Sequence, residues 1–335
     1  MLKPVSYYVR EVRRHLPAAV FEPVPTRLVW LGLHVGIAAL GIWAVAAAGL
    51  PWWAKLLLAV PIGGAYAGMA FVAHEVLHGA VVRSMTGRRV AGWLAFLPFC
   101  IGPRHWIGWH NRLHHGNTMI PGVDPDSYPT LEHYRTTLRT RVADRLSFGG
   151  GRILGAMTLL VGLVGQSLGV LFSSGPRAGY LAPREHALAL AETAVDVLFW
   201  VGLGVWLGAD VLFFGWVLPI TVGSVVVMMH IITNHSLSPQ TEVNDPLVNS
   251  LSVTVPRWFS VYTLQFGLHV EHHLFPSVSS RHAGRIGELL RQHWPDRYRS
   301  LPMGRALLRL FTTGRIYKNA TTLFDPRTGR ESPTL

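Results

Sequence analysis

The sequence predicts an all-α integral membrane protein: about four spanning helices in two hairpins, with interfacial helices and a cytoplasmic helical cap. Three observations predict it. Half of the 335 residues are hydrophobic and only 14% are charged, whereas an ordinary soluble domain is about 25% charged. Apolar runs of roughly 20 residues recur, the length at which a helix crosses the hydrocarbon core of a bilayer. Four of these runs fall into two pairs joined by very short breaks, so each pair turns straight back across the membrane.

Taken in order, residues 1–27 form an N-terminal segment carrying Lys3, Arg10, Arg13 and Arg14. The first apolar run, Leu28 to Leu50, starts too late and runs too long for a signal peptide, and no small-residue cleavage site follows it, so it reads as a retained span. Gly49-Leu50-Pro51 breaks the chain before the second run, Trp52 to Ala73. Val90 to Gly102 is too short to cross and reads as interfacial or re-entrant. A basic, polar segment, Asp124 to Arg152, precedes three more apolar stretches: Ile153 to Phe172, Ala194 to Leu207 and Val211 to Ile232. Gly208-Ala209-Asp210 joins the last two into a second hairpin. From Ser236 the chain is polar and broken by prolines, with an amphipathic stretch at Ala283 to Gln292, and it reads as a cap. The whole, 1–335, is expected to be one domain: segment 1–27, membrane part 28–235 and cap 236–335.

The formal charge is +12. Arg83, Arg88, Arg89, Arg104, Arg112, Arg135, Arg139, Arg141 and Arg145 all fall between the two hairpins, whereas the turns near Pro51 and Gly208 carry no Lys or Arg. By the positive-inside rule the basic side is cytoplasmic, which suggests a bacterial inner membrane. The excess charge suits anionic headgroups and also the docking of an acidic electron-transfer protein; nucleic acid is not an expected partner. The single cysteine, Cys100, excludes an intrachain disulfide and a CxxC pair. A metal site in this chain must use nitrogen and oxygen ligands.

Histidine placement suggests such a site. Eight of 17 histidines lie in three clusters totalling 16 residues, where average density would place about one. The clusters are His74-Glu-Val-Leu-His78, His110-Asn-Arg-Leu-His114-His115 and His269-Val-Glu-His272-His273. On a helix, His74 and His78, His110 and His114, and His269 with His272 and His273 share a face. Neutral imidazole is the commonest side-chain metal ligand. Eight imidazoles exceed what one four- to six-coordinate ion needs and suit two. An all-nitrogen set fits iron, copper, nickel or zinc and disfavours calcium and magnesium. For all three clusters to serve one site they must share a side, so an even number of crossings must separate them. Ile153 to Phe172 is therefore expected to lie at the interface or inside the bundle without crossing.

Each ligating imidazole needs a partner for its other N–H. Glu75, Asp124, Asp126, Asp245 and Glu271 are the nearby carboxylates, although Asp124 and Asp126 around Pro125 also suit a simple turn. Trp106 and Trp109 suit interfacial anchoring or the lining of a channel. His74-Glu75-Val-Leu-His78 also matches HExxH, the zinc-protease pattern in which the glutamate is the general base. That reading leaves six clustered histidines unexplained. A histidine-lined metal transporter predicts histidines within the spans, whereas these cluster at one edge.

The three clusters resemble the histidine boxes of the membrane fatty acid desaturase and hydroxylase superfamily: HxxxH at His74, HxxxHH at His110 and HxxHH at His269. His-Gly after the first, Trp109 before the second, Leu274-Phe-Pro276 after the third, Gly122-Val-Asp-Pro-Asp126, and the tail with Arg315-Ile-Tyr317 and Asp325-Pro326 strengthen the resemblance, which covers about residues 30–330. It implies a non-haem centre of two iron ions, with O2 as co-substrate, acting on an unactivated C–H bond. It also implies a further ligand at the end of the last span, here His235, with His230 the lesser candidate. The implied activity is desaturation of a fatty acyl chain, linked to lipid, CoA or a carrier protein. A carotenoid ketolase or hydroxylase of the same superfamily is the alternative. No fused cytochrome signature is visible, so electrons are expected from a separate ferredoxin or cytochrome b5-like protein.

Overall fold

A computed structural model describes residues 1–149, 153–174 and 179–335. The end of the expected polar segment, 150–152, lies outside the described residues. The chain separates into two compact units, interleaved in sequence: 23–109 with 159–228, and 1–22 with 110–158 and 229–335.

Among the described residues, four helices are long and apolar enough to cross a membrane: Pro25–Ala47, Trp52–His78, Pro183–Leu207 and Val211–His235. They make the chain an integral membrane protein of mainly helical fold, as the composition predicted. Ala156–Phe172 is apolar but shorter than these four. Two boundaries differ from the expected ones by five residues or more. The second span continues past Ala73 to His78, so the first cluster belongs to the helix itself. The third starts at Pro183 rather than Ala194. Its early polar residues are matched within the membrane unit: Glu185 and Glu192 pair with Arg104, and His186 Nε2 bonds the Leu171 carbonyl at 2.9 Å. Charge that hydropathy reads as the end of a span is here neutralised along the helix.

The second span is the core of the membrane unit, with every residue from Ala65 to His78 buried. Small residues make this possible, because lipid gives helices no hydrophobic reason to associate and close backbone contact must supply the attraction. A Cβ built on Gly63 would meet the Pro219 carbonyl oxygen at 2.5 Å, and one on Gly68 would meet the His34 ring at 2.2 Å. Tyr66 donates from its hydroxyl to the Gly215 carbonyl at 2.5 Å, in the π-helical stretch Val211–Val217. Trp200 and Trp216 stack 5.6 Å apart, and their indole N–H groups donate to the Leu97 and Pro98 carbonyls. Lys55 and Asp210 form an ion pair. That pair places the two hairpin turns on the same side.

The other unit holds two histidine clusters. Tyr8, Val12 and Leu16, from the N-terminal helix Val5–Arg13 and the turn after it, are buried in one core with Val270, Leu274, Ile286 and Leu290. The N-terminal segment thus shares a core with the expected cap. Short strands, which the helical reading did not include, brace this unit: Ser252–Thr254 pairs in parallel with Ser300–Pro302, and Ile316–Asn319, Thr322–Phe324 and Glu331–Pro333 form an antiparallel sheet.

Gly63→Ala is expected to destabilise the membrane unit by about 1–3 kcal/mol, because a backbone oxygen cannot move aside as a side chain can. A lower unfolding midpoint of the purified protein in detergent, read by tryptophan fluorescence, checks this.

Candidate metal centre

The second cluster lies at the end of a π-helical turn, Ile107–His114. There the backbone closes one residue later than in an α-helix, and His115 N–H bonds the His110 carbonyl at 3.0 Å. This changes which histidines meet. His110 and His115, five apart, bring their Nε2 atoms to 3.2 Å, and His115 Nε2 lies 3.0 Å from His272 Nε2. His114 stacks on His110, ring centroids 5.1 Å apart, and also reaches a second group. It joins His235 and His273 in a fully buried group whose ligand atoms all lie within 4.8 Å of one another. His269 Nε2 is 2.8 Å from that of His235 and 3.2 Å from that of His273. The second and third clusters therefore each divide between two groups, one built on His110, His115 and His272, the other on His114, His235, His269 and His273.

The third cluster occupies only the short helix His269–Leu274. Its first N–H groups need acceptors that so short a helix cannot supply. Ser252 Oγ accepts from His269 N–H and Val270 N–H, each at 3.1 Å, and itself donates to Glu271 Oε2 at 2.6 Å. Tyr298 donates to Glu271 Oε1 at 2.6 Å. Glu271 is thus turned to Ser252 and Tyr298 instead of to an imidazole, and burial raises its pKa.

The remaining carboxylates divide similarly. Asp124 Oδ1 accepts from His114 Nδ1 at 2.9 Å, with Asp126 Oδ2 at 3.5 Å. Asp124 also accepts the N–H groups of Met119 and Asp126, so one carboxylate both makes the turn and orients the ring. Asp245 takes the Lys3 N–H, the Tyr8 hydroxyl and the Arg297 guanidinium instead of an imidazole. It reaches the cluster indirectly: its N–H donates to Asn249 Oδ1 at 2.7 Å, and the Asn249 carbonyl accepts from His235 Nδ1 at 3.2 Å. His230 lies between the Phe259 and Phe266 rings.

Two positioning residues escaped the sequence reading. Thr118 donates its hydroxyl to the His114 carbonyl at 3.0 Å and accepts from His273 Nδ1 at 3.2 Å. Its place four residues after His114 was the available signal. Asn249 acts through its main chain, for which side-chain identity carries no signal.

These contacts fix tautomers. His114, His235 and His273 each give an Nδ1–H to a carboxylate, a carbonyl or a hydroxyl already committed as donor. Held this way, each ring in its neutral form turns an Nε2 lone pair inward. The Nε2 atoms of His235 and His273 lie 3.1 Å apart, and His114 Nε2 is buried without a hydrogen-bond partner. Lone pairs so close repel unless a cation lies between them. Burial lowers the pKa of His114, but Asp124 and Asp126 outweigh it and raise it to about 9, which makes this imidazole a stronger donor. His273 is held well below its usual value by burial and by the surrounding imidazoles. The donor chemistry fits a first-row transition metal.

In the membrane unit, His74 and His78 face the same way, rings 4.7 Å apart, with Trp106 edge-on at 5.5 and 5.1 Å. Trp106 is buried beside the two imidazoles, and Trp109 stacks on His105 at 5.3 Å; both are interior rather than interfacial. Glu75 is paired with Arg27 at 3.3 Å. A carboxylate tied to a guanidinium is a poor general base, which weakens the protease reading of HExxH.

The family model described as "Fatty acid desaturase" matches residues 50–304. The chain is 23% identical over 332 residues to the chloroplastic omega-6 fatty acid desaturase of Spinacia oleracea, spanning 94% of this chain and 70% of that protein. It is 22% identical over 308 residues to the sn-1 oleoyl-lipid 12-desaturase of Picosynechococcus sp., spanning 86% of this chain and 83% of that protein.

Asp124→Asn is expected to weaken metal retention by about 10- to 100-fold, because His114 loses the charge that orients and strengthens it. Competition with a chelator, followed by metal analysis of the protein fraction, measures this, and circular dichroism verifies that the chain remains folded.

Proposed function

Because the chain belongs to the fatty acid desaturase family, we propose that it holds two iron ions through nine histidines and uses O2 to introduce a double bond into a fatty acyl chain. The observation that carries this reading is the convergence of inward Nε2 lone pairs from His114, His235 and His273, each with its Nδ1–H committed to a fixed acceptor. His114, His235, His269 and His273 hold one ion. His110, His115 and His272 would hold the other, and His74 and His78, two buried rings on one helix face, are the remaining candidate ligands.

Bound iron supplies the redox capacity to reduce O2 and remove hydrogen from an unactivated C–H bond. Two hydrogens leave adjacent methylenes, one O2, two electrons and two protons are consumed, and two waters are released. The chain's own residues do the rest. Asp124, Thr118 and Asn249 hold the imidazoles in one tautomer and orientation. The hydrocarbon is held by burial: an apolar cavity of about 690 Å³ in the membrane unit, lined among others by Ala38, Tyr66, Met69, Leu97, Trp200 and Leu203, lies within the usual size range of ligand sites. Fixing the chain there decides which methylene reacts.

The name of the Picosynechococcus relative, an oleoyl-lipid desaturase, favours a lipid-linked acyl chain over a CoA- or carrier-linked one, and neither name favours a carotenoid. The electrons come from a separate donor such as a ferredoxin or a cytochrome b5-like protein. The positive-inside distribution supports a bacterial inner membrane with the centre on the cytoplasmic side.

Expression in a host lacking polyunsaturated acids, with lipids profiled by mass spectrometry, is expected to yield a new double bond in glycerolipid acyl chains, and His273→Ala to abolish it. The purified protein is expected to carry about two irons per chain, falling in both His114→Ala and His78→Ala. One tightly held zinc, or unchanged lipids in cells that accumulate the iron-loaded protein, would refute the reading.

A further inference from the structure

The helix Leu138–Leu146 is built with inverted polarity. Its packed side carries Thr140 and Asp144, both buried. Its opposite side carries Leu138, Val142 and Leu146, which are 67%, 50% and 41% exposed. At 100° per residue these three fall within one narrow stripe centred on Val142, directly opposite the packed side. A helix facing water shows the reverse pattern. The stripe is bordered by arginines, Arg139 on one edge and Arg145 with the half-buried Arg141 on the other, and Arg135 lies just before the helix. The apolar surface continues beyond the helix end: Ile153 and Leu154 are 89% and 58% exposed. There the chain enters the apolar helix Ala156–Gly169, whose Thr158 hydroxyl donates to the Leu146 carbonyl at 2.7 Å.

We propose that this helix is a lipid-binding element: Leu138, Val142 and Leu146 enter the headgroup–acyl boundary of the bilayer, and Arg135, Arg139 and Arg145 engage the phosphates of anionic lipids. An apolar stripe edged by basic side chains is the pattern of a helix lying in the membrane surface. Long arginine side chains reach from an immersed stripe back to the phosphate layer. Two further observations favour lipid over an acidic protein. The centre of the exposed face is purely aliphatic, and two more exposed apolar residues, Ile153 and Leu154, stand just before an apolar helix. The buried polar side has a matching cause, because Asp144 packs within reach of the charges of Arg327 and Arg315 in the C-terminal part. The inference is independent of the metal chemistry, and its test reads position rather than turnover.

The test uses the full chain in nanodiscs of phosphatidylcholine, with and without phosphatidylglycerol. A nitroxide is placed on Val142→Cys, with exposed Glu288→Cys as the aqueous control. The one native thiol, Cys100, is buried. Collision with O2, relative to a water-soluble nickel chelate, is expected to be several-fold higher at position 142 than at 288. The bias is expected to grow with phosphatidylglycerol, and Arg139→Gln/Arg145→Gln to remove that growth without changing the fold. Equal accessibility at 142 and 288 in both lipids overturns the proposal. So does protection of position 142 that arises only when an acidic electron-carrier protein is added. A bias that ignores lipid charge overturns the role of the arginines.

Discussion

The structure depends on one electrostatic constraint: imidazole nitrogens held close together with their lone pairs facing inward. His235 Nε2 lies 2.8 Å from His269 Nε2 and 3.1 Å from His273 Nε2, inside a fully buried group. Without a shared proton or a cation such an arrangement is repulsive, and burial with neighbouring imidazoles makes protonation of His273 costly. The fold must therefore impose it, and the surrounding residues do so from the far side of each ring. Asp124 holds His114, Thr118 bridges His114 and His273, and the Asn249 carbonyl holds His235. Asp245 fixes Asn249, and through its contacts with Lys3, Tyr8 and Arg297 it ties the N-terminal segment to the same scaffold.

The two units meet different solvents with different devices. In the membrane unit, attraction comes from backbone proximity, so Gly63 and Gly68 sit where any side chain would collide, and tryptophan N–H groups satisfy the carbonyls of the Leu97–Phe99 turn. In the other unit a conventional aliphatic and aromatic core fixes the third-cluster helix against the N-terminal helix. Apart from Cys100, the positive-φ non-glycine residues among those described lie near the histidines. Leu264 and Gln265 both adopt positive φ just before the third cluster, and Met119 does so just after the second. Left-handed non-glycine residues persist only where the surroundings over-determine them; Asp124 accepting the Met119 N–H is one such restraint.

Much of the site was legible in advance. The four spans, the three clusters, His235 as a candidate at the end of the last span and Asp124 as one candidate partner for an imidazole all follow from periodicity, spacing and the resemblance; that Asp124 meets His114 is seen only in the structure. Glu271 and Asp245 were chosen for closeness in sequence, yet their carboxylates serve Ser252, Tyr298 and Arg297. Proximity along the chain states nothing about which way a side chain turns once its helix docks. Trp106 and Trp109 looked like interfacial anchors because tryptophan favours that place. Only packing shows them buried against histidines.

By itself the sequence determined the solvent of each segment and the chemical type of the site, because hydrophobic run length and local ligand spacing are properties of the chain alone. Tertiary structure decided the partition of the imidazoles. An α-helical spacing puts His110 with His114; the π-helical turn keeps those rings stacked but also brings His115 Nε2 to His110 Nε2, while His114 groups with His235 and His273. That choice depends on one displaced backbone hydrogen bond, which long-range packing selects and no local residue pattern encodes.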